Sequence, residues 1–562
     1  METVSIGIDV GGTNTDAALV CGAGVLALVK VPTNQADLLQ STREALMKIL
    51  QHYNGTDPVR LHLSTTLQTN TIVEGRGAKT KAIVIPGPGV HLASLNLPFP
   101  LLELTGYVDH RGREVRPLDI DQVRRIQESL DNEEIEALAV VGKFSQRNPC
   151  QEELIARELS AWYKGHVSLG HRLSGRANFP RRIVTTCLNA SIAQKQRDFL
   201  QILRGAKEDL VADIQILKAD GGTMTLEESA QRPIESILSG PAASIMGVKA
   251  LSRCQAKNFL IIDIGGTTTD LAAVVNGEVL FERDGAIIGG HKTLVPAVLA
   301  RSFGLGGDSE LNYHPGQGIQ IGPRRAGTPV CLGGSALTPT DAAVAKGLVE
   351  LGSKDRARSA WDLWAQQLGL QAEELVEEVL RAFTRQLMAA VDAFYRELEG
   401  MPLYTVEEVL HPPRLKPDAV VGLGAPAEVF IPPLAKALDL PWEILPFSAG
   451  ANAIGAAAAR STVGLTLHAD TELGTVTIPE MGYQGEIRRP LFFDLEKARK
   501  LGEEKTREYA KSLGYDATGD VYIVEEESFQ MVRGFRTVGQ RHMVRTQLRP
   551  EVRRIRIGGK ST

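Results

Sequence analysis

A chain of 562 residues, 43% hydrophobic and 23% charged, carries enough apolar material for three or four packed units at about 150 residues per domain. A net charge of -5 and a pI near 6.2 argue against a nucleic-acid-binding surface. The five cysteines are odd in number, scattered and never spaced Cys-x-x-Cys, which excludes a zinc ribbon or iron–sulfur cluster and fits a reducing, cytoplasmic setting.

Along the chain, residues 1–20 read as two strands joined by a glycine turn, with neither a basic nor an apolar leader before strand Val4–Ile8, so no signal peptide is expected. Pro32–His52 has helical apolar spacing (Leu38, Leu39, Leu46, Ile49, Leu50). Arg60–Thr66 reads as a strand running into a polar turn. Lys81–Pro86 and Ala137–Gly142 are buried-strand candidates, with a helix predicted over Asp119–Ser129 between them. Asp355–Gly400 is a long helical stretch whose tryptophans and leucines read as core packing. Strands alternating with helices predict α/β domains. The expected division is 1–184, 185–460 and 461–562, the last unit having a helix over Asp494–Leu513 and a strand over Val521–Val524. The richest apolar stretch, Ala449–Ala459, is too short to span a bilayer, so no membrane contact is expected.

The run Ile8-Asp9-Val10-Gly11-Gly12-Thr13-Asn14-Thr15-Asp16 returns at Ile262-Asp263-Ile264-Gly265-Gly266-Thr267-Thr268-Thr269-Asp270, a constant 254 residues later. Two copies half a chain apart mark a duplicated lobe. In each, a strand delivers an Asp, two glycines admit close backbone approach, and a Thr hydroxyl with its amides can face anionic oxygens. Facing hairpins of this kind suit the phosphate tail of ATP with Mg²⁺ (or Mn²⁺). Other nucleotide motifs fail on detail. A dinucleotide fingerprint needs Gly-x-Gly-x-x-Gly opening a helix, whereas β-type residues follow these glycines. The terminal Gly558-Gly559-Lys560-Ser561-Thr562 mimics the end of a Walker loop, yet position 554 is Arg where that loop needs Gly, so it reads as a decoy. A third element, Ala419-Val-Val-Gly422-Leu-Gly424-Ala425-Pro426-Ala427, is a strand entering a glycine turn that would admit a purine and ribose. Ala451–Ala457 is a small-residue helix suited to a hinge between lobes.

Hairpin, hairpin, adenosine turn and small-residue helix occur in the order found in the actin/Hsp70/sugar-kinase ATPase superfamily. Ser64-Thr65-Thr66-Leu67-Gln68-Thr69-Asn70-Thr71, with Glu74-Gly75-Arg76-Gly77-Ala78-Lys79-Thr80, resembles a block of the A-subunit of the hydantoinase/5-oxoprolinase family. Phe144-Ser145-x-x-Asn148-Pro149, Leu238–Ala242 and Thr338-Pro339-Thr340-Asp341-Ala342 are similar to further blocks of that subunit. The chain departs from the pattern at Cys150-Gln151-Glu152, where relatives commonly carry His-Glu. It also differs at Gly304-Leu305-Gly306-Gly307-Asp308-Ser309, where a carboxylate is added.

The resemblance implies duplicated ribonuclease-H-like, actin-like ATPase lobes with an interlobe ATP cleft, and ATP-dependent opening of a cyclic amide such as hydantoin, 5-oxoproline or another lactam. Asp9 and Asp263 are the expected metal carboxylates. Gly11, Gly12, Thr13, Gly265, Gly266 and Thr267 are expected at the phosphates, and Gly422, Gly424 and Ala425 at the adenosine. Asp341 and Asp308 are candidates for metal or general-base work. Thr65, Thr66 and Asn70 are candidates for the substrate side, with a strand-to-helix cap as the equal alternative. Asp16 and Asp270 are read either as metal-facing or as bonded within their own hairpins. Isolated histidines such as His62 and His291 read as surface or core residues. The resemblance also implies a B-type partner subunit; a homo-oligomer is left open. A small-molecule kinase of the same superfamily and a non-enzymatic ATP-switched regulatory subunit are the alternatives.

Overall fold

Two sheets with the same strand plan organise the chain. The computed structural model describes residues 4–556 apart from 23, 35–36, 131–133, 206–210, 317 and 403–409. In the first sheet, β1 (Ser5–Val10) is buried on both faces and occupies the middle. β2 (Asn14–Cys21) folds back antiparallel on one side of β1 and is followed by β3 (Gly24–Pro32). On the other side β4 (Val59–Thr65) runs parallel to β1, and the strand Val211–Leu217 runs parallel to β4. The second sheet repeats this with Phe259–Ile264 in the middle, Thr269–Val275 antiparallel on one side, and Ala419–Leu423 then Trp442–Ile444 parallel on the other. Parallel neighbours require crossovers, and the helices that supply them cover the sheet faces, which is why the central strands are continuous apolar runs. The fold is therefore a pair of duplicated, actin-like α/β lobes, as expected.

The first lobe reaches further along the chain than the expected division. Residues 184 and 185 lie inside the helix Phe179–Gly205, and the fifth strand of the first sheet, Val211–Leu217, comes after it. That strand is delayed because a second, all-parallel sheet is inserted after β4, in the order His166–Leu169, Ala137–Gly142, Thr80–Ile85, Leu101–Glu103. The C-terminal part forms a five-stranded antiparallel sheet within Gly464–Leu548, backed by the helix Leu495–Ser512. The strand expected over Val521–Val524 extends to Arg533 and turns at Gly534 into Arg536–Leu548.

Other boundaries shift for local reasons. Pro32 ends β3, so the first helix spans Leu38–Leu50. The helix expected at 119–129 is two short turns, Ile120–Arg124 and Ile126–Leu130. The long stretch 355–400 breaks at Gly369, whose φ of 68° ends Lys354–Leu368 before Ala372–Glu399 begins. Trp361, Phe383 and Phe394 are buried in the second lobe, and Phe383 stacks on Phe430 at 3.7 Å. The terminal Gly558–Thr562 lies outside the described residues. Among the described residues no helix is long and apolar enough to cross a membrane.

The two lobes meet on the helix Ala451–Ala458. Backbone contact is so close that side chains larger than hydrogen do not fit: a Cβ at Gly7 would lie 1.9 Å from the Ala453 carbonyl, and one at Gly455 2.1 Å from that of Ala243. Val20, Ala243, Val421 and Ile454 thus share one core that joins both lobes.

Candidate functional site

Asp9 is the fifth residue of β1 and lies opposite Asp16 on β2 and Ser64 on β4. Asp263 holds the same position in the second sheet, opposite Asp270 and Leu423. After each Asp the chain turns tightly: Gly11 N–H donates to the Asn14 carbonyl at 3.1 Å, and Gly265 N–H to that of Thr268 at 2.9 Å. Gly12 is exposed, and Thr13, Gly266 and Thr267 are partly so, while the carboxylates beneath are buried. This arrangement offers backbone amides to a ligand above a layer of acid groups.

The carboxylates form one electrostatic cluster. Burial pushes the Asp9 carboxyl up to about 7, with the charges of Asp16 and Asp263 adding to the effect. Burial likewise pushes Asp270 up to about 7, helped by Asp263 and Asp9. Burial raises Asp263 as well, opposed by hydrogen bonds from Ser244 at 2.6 Å and Asn452 at 3.2 Å. Ser64 and Asn452 oppose the rise at Asp9. Asp16 is raised by burial and answered by Lys30 at 2.8 Å. Buried acids that repel one another gain most from a cation. Among the described residues no group of three or more acidic, histidine or cysteine side chains forms a ready-made metal cage. These carboxylates fit a cation whose remaining ligands come from water or a bound anion.

A loop beside the second hairpin completes this wall. Gly307 and Asp308 N–H donate to the Gly265 and Gly266 carbonyls at 3.0 and 2.6 Å. Asp308 is partly buried, pairs with Arg325 at 3.2 Å, and stands so near Gly266 that a Cβ there would lie 2.8 Å from its carboxylate. Burial raises its carboxyl while Arg325 opposes.

Asp341 does not join this cluster, and its expected metal or base role is corrected. It is fully buried and accepts from the Cys331, Thr338 and Val330 N–H groups at 2.7, 3.0 and 3.3 Å and from the Thr338 hydroxyl at 2.8 Å. That is a capping box at the start of Pro339–Lys346. Gly422 is also reassigned: a Cβ there would meet Ile431 at 2.5 Å, so this glycine serves strand–helix packing. Gly424 has φ of 90° and abuts the second hairpin, its Cβ position lying 2.1 Å from the Ile264 carbonyl; Ala425 beside it is exposed.

Thr65, Thr66 and Asn70 lie at the end of β4 and in the helix Leu67–Val73, next to Val10. Thr65 is buried and its hydroxyl accepts from Leu67 N–H at 3.1 Å, while the Thr66 hydroxyl donates to the Val10 carbonyl at 3.2 Å. Thr65 thus bonds within its own turn, while Thr66 ties the end of β4 to β1. Asn70 is partly exposed and, among the described residues, its carboxamide has no hydrogen-bond partner. His62 is a core residue bonded to the Ala456 carbonyl at 2.8 Å, and His291 packs beside Phe99. Glu152, at the departure noted in the sequence, is buried and bonded to His171 at 2.6 Å and Gly142 N–H at 2.7 Å. Ser64, Ser244 and Asn452 were not singled out from the sequence. Asn452 had a legible signal, being the one polar side chain in Ala451–Ala458.

Comparison with known proteins places this geometry. The caprolactamase alpha subunit of Pseudomonas jessenii is 25% identical over 387 residues, covering 62% of this chain and 55% of that protein. The acetophenone carboxylase gamma subunit of Aromatoleum aromaticum is 28% identical over 401 residues, covering 61% and 53%. The chain spans about half the length of these relatives. The solved ATP-dependent caprolactamase from Pseudomonas jessenii shares the fold, with a TM-score of 0.70 at 20% identity over 97% of this chain and 87% of that one. Residues 5–162 match the hydantoinase/oxoprolinase N-terminal region and residues 182–463 the hydantoinase/oxoprolinase domain, so the chain belongs to the hydantoinase/oxoprolinase family.

Proposed function

We propose that this chain binds Mg·ATP between the two hairpins and uses it to open a cyclic amide. The observation that carries this reading is the convergence of Asp9 and Asp263, one from each sheet, in one buried acidic cluster, where the charge of Asp263 raises Asp9 and Asn452 donates to Asp263. Asp9 and Asp263 would hold Mg²⁺, directly or through water, and the cation would neutralise charge on the phosphates. The Gly11–Thr13 and Gly265–Thr267 turns would receive the phosphate oxygens on backbone amides, and Gly424–Ala425 would take the adenosine.

An unstrained amide is a poor electrophile, which gives coupling to ATP its chemical purpose. The amide oxygen attacks the γ-phosphorus as the bond to ADP breaks, giving an imidate-type phosphate. Water adds at the activated carbon, the ring C–N bond breaks with the proton passing to nitrogen, and an acyl phosphate is left. A second water then releases free phosphate and a carboxylate. The protein's share is positioning and charge stabilisation. Asp308, half-buried beside the second hairpin, is the group we assign to proton handling or cation support.

The relatives named as subunits support reading this chain as one subunit of a larger assembly, for which we propose a B-type partner and a cytoplasmic setting. The test is ADP and phosphate release with a panel of cyclic amides and sugars, with and without a B-type subunit, and mass spectrometry of the products. Ring-opened product with stoichiometric free phosphate supports the reading. A phosphorylated product with no free phosphate makes the chain a kinase. Nucleotide binding without turnover under any pairing makes it a regulatory module.

A further inference from the structure

A separate polar cavity of about 370 Å³ opens where β4, the end of the helix Ala451–Ala458 and the segment around Arg553 meet. Arg60, Arg460 and Arg553 line it. Three guanidinium groups in one concavity repel each other, and this repulsion is incompletely answered. Among the described residues Arg60 and Arg553 have no carboxylate partner, and Arg553 reaches only the Ser5 hydroxyl at 3.4 Å. Arg460 stands 3.7 Å from Glu551 and 3.9 Å from Asp516, beyond the range of a good charge-assisted hydrogen bond. Asp213 and Asp516 also line the cavity, and Asp516 acts on both Arg460 and Arg553, which leaves three cations against two acids. Asp213 accepts from Gln215 at 3.0 Å, and Asp516 from Thr518 N–H at 3.0 Å and its hydroxyl at 2.6 Å. Burial holds the Arg553 guanidinium below its ordinary range, with Arg60 and Arg460 adding to the effect and Asp516 opposing it.

The position of the cavity matters as much as its charge. The helix Ala451–Ala458, about 12 Å long, has Asn452 at its start, bonded to Asp263. Its other end runs into Ala459 and Arg460, which form the cavity wall. Arg553 N–H donates to the Ala458 carbonyl at 2.8 Å, and Arg460 N–H to that of Glu551 at 3.0 Å. His62, also on the wall, bonds the Ala456 carbonyl of the same helix. One short rigid element thus joins the arginine cavity to the paired carboxylates.

We propose that this cavity binds a small molecule bearing a phosphate or carboxylate group, and that its occupancy alters nucleotide affinity through the helix Ala451–Ala458. Guanidinium groups present planar donor forks matched to such oxyanions. An anion that draws Arg460 and Arg553 together bears on the backbone bonds they make to this helix and its extension, and coupling of this kind is reciprocal. The coupling clause rests on the cleft being the nucleotide site; the anion site does not.

The test is calorimetric titration of the full chain with inorganic phosphate and, separately, with glutarate, at ionic strength fixed with sodium chloride. It is run on the parent, Arg60→Gln and Arg553→Gln. Arg60 is exposed, so R60Q keeps the fold, and melting curves verify both variants. Saturable binding that weakens about tenfold in each variant is expected, and the two titrants show which group is preferred. Binding unchanged in both variants places the anion elsewhere and overturns the site. ADP affinity is then measured with and without the bound anion. A shift present in the parent and absent in R553Q is expected; equal ADP affinity in both states overturns the coupling. Failure of ADP to bind at all counts against the proposed function, while the anion isotherms still decide the site.

Discussion

Asn452 donates to Asp263 at 3.2 Å and also lowers the carboxyl of Asp9, so one carboxamide acts on carboxylates from two different sheets. Neither hairpin alone contains this link. It depends on the helix Ala451–Ala458 being small enough to lie against both lobes, with Gly7 and Gly455 removing the side chains that would hold them apart.

Asn452→Ala is expected to lower ATP turnover by about 10–100-fold, because a buried polar contact of this kind contributes roughly 1–3 kcal/mol. Asn452→Asp is expected to be worse, since it sets a third acid beside two that already repel. The measurement is ADP release at saturating substrate, with melting curves for folding. Parent-like turnover in both variants would remove Asn452 from the site.

The Asp9 carboxyl rises from its ordinary 3.8 to about 7 on folding. Between these values the folded chain holds a proton that the unfolded chain releases. The stability this contributes is full below about pH 4 and is lost as pH rises through about 7. Asp9→Asn is therefore expected to raise the melting temperature of the nucleotide-free chain at pH 8 while lowering ATP turnover by at least an order of magnitude. It should also flatten part of the fall in stability as pH rises from 4 to 8, the rest belonging to the other raised carboxyls, among them Asp270, Asp263, Asp16 and Asp308. A variant less stable than the parent at pH 8 would refute the strained-carboxylate account.

Asp308 and Asp341 should separate cleanly. Asp341→Ala leaves the buried Cys331 and Thr338 N–H groups without an acceptor and removes a helix cap, so a loss of about 2–4 kcal/mol in unfolding free energy is expected. Asp308→Asn sits at the cleft wall, where turnover should fall and stability change little. Denaturant unfolding beside ADP release reads both. A reversed pattern would return Asp341 to the chemistry.

The duplicated hairpins were legible because the constraint on them is local: a strand, an Asp, two glycines and a Thr recur at one spacing. The helix Phe179–Gly205 was not, because much of its buried face is polar. Arg182, Thr185, Thr186, Asn189 and Gln196 are all buried, so apolar periodicity is weak. Missing that helix set the lobe boundary too early. Asp341 and Gly422 were read by residue type; the Thr338-x-x-Asp341 cap was legible in the spacing, whereas Cys331 and Ile431, nine or ten residues away, meet these residues only through the fold. Asn452 stood out in composition, but its two partners lie on strands that sequence spacing does not bring together.

Asn70 is left as the substrate-side candidate once the Thr65 and Thr66 hydroxyls are seen to be bonded to Leu67 and Val10. Its carboxamide is partly exposed on the first turns after β4, whose Ser64 and Thr65 lie opposite Asp9 and Val10. A donor and an acceptor on one planar group match the adjacent N–H and C=O of a cyclic amide. Asn70→Ala is expected to leave ADP affinity within about twofold of the parent while lowering substrate-stimulated ADP release about 10–100-fold, since unmade polar contacts in a closed site cost roughly 1–3 kcal/mol. The two readouts are nucleotide titration and coupled ADP release on the same preparation. Equal losses in both, or a lowered melting temperature that accounts for the deficit, would make Asn70 part of the helix framework and move substrate selection elsewhere in the cleft.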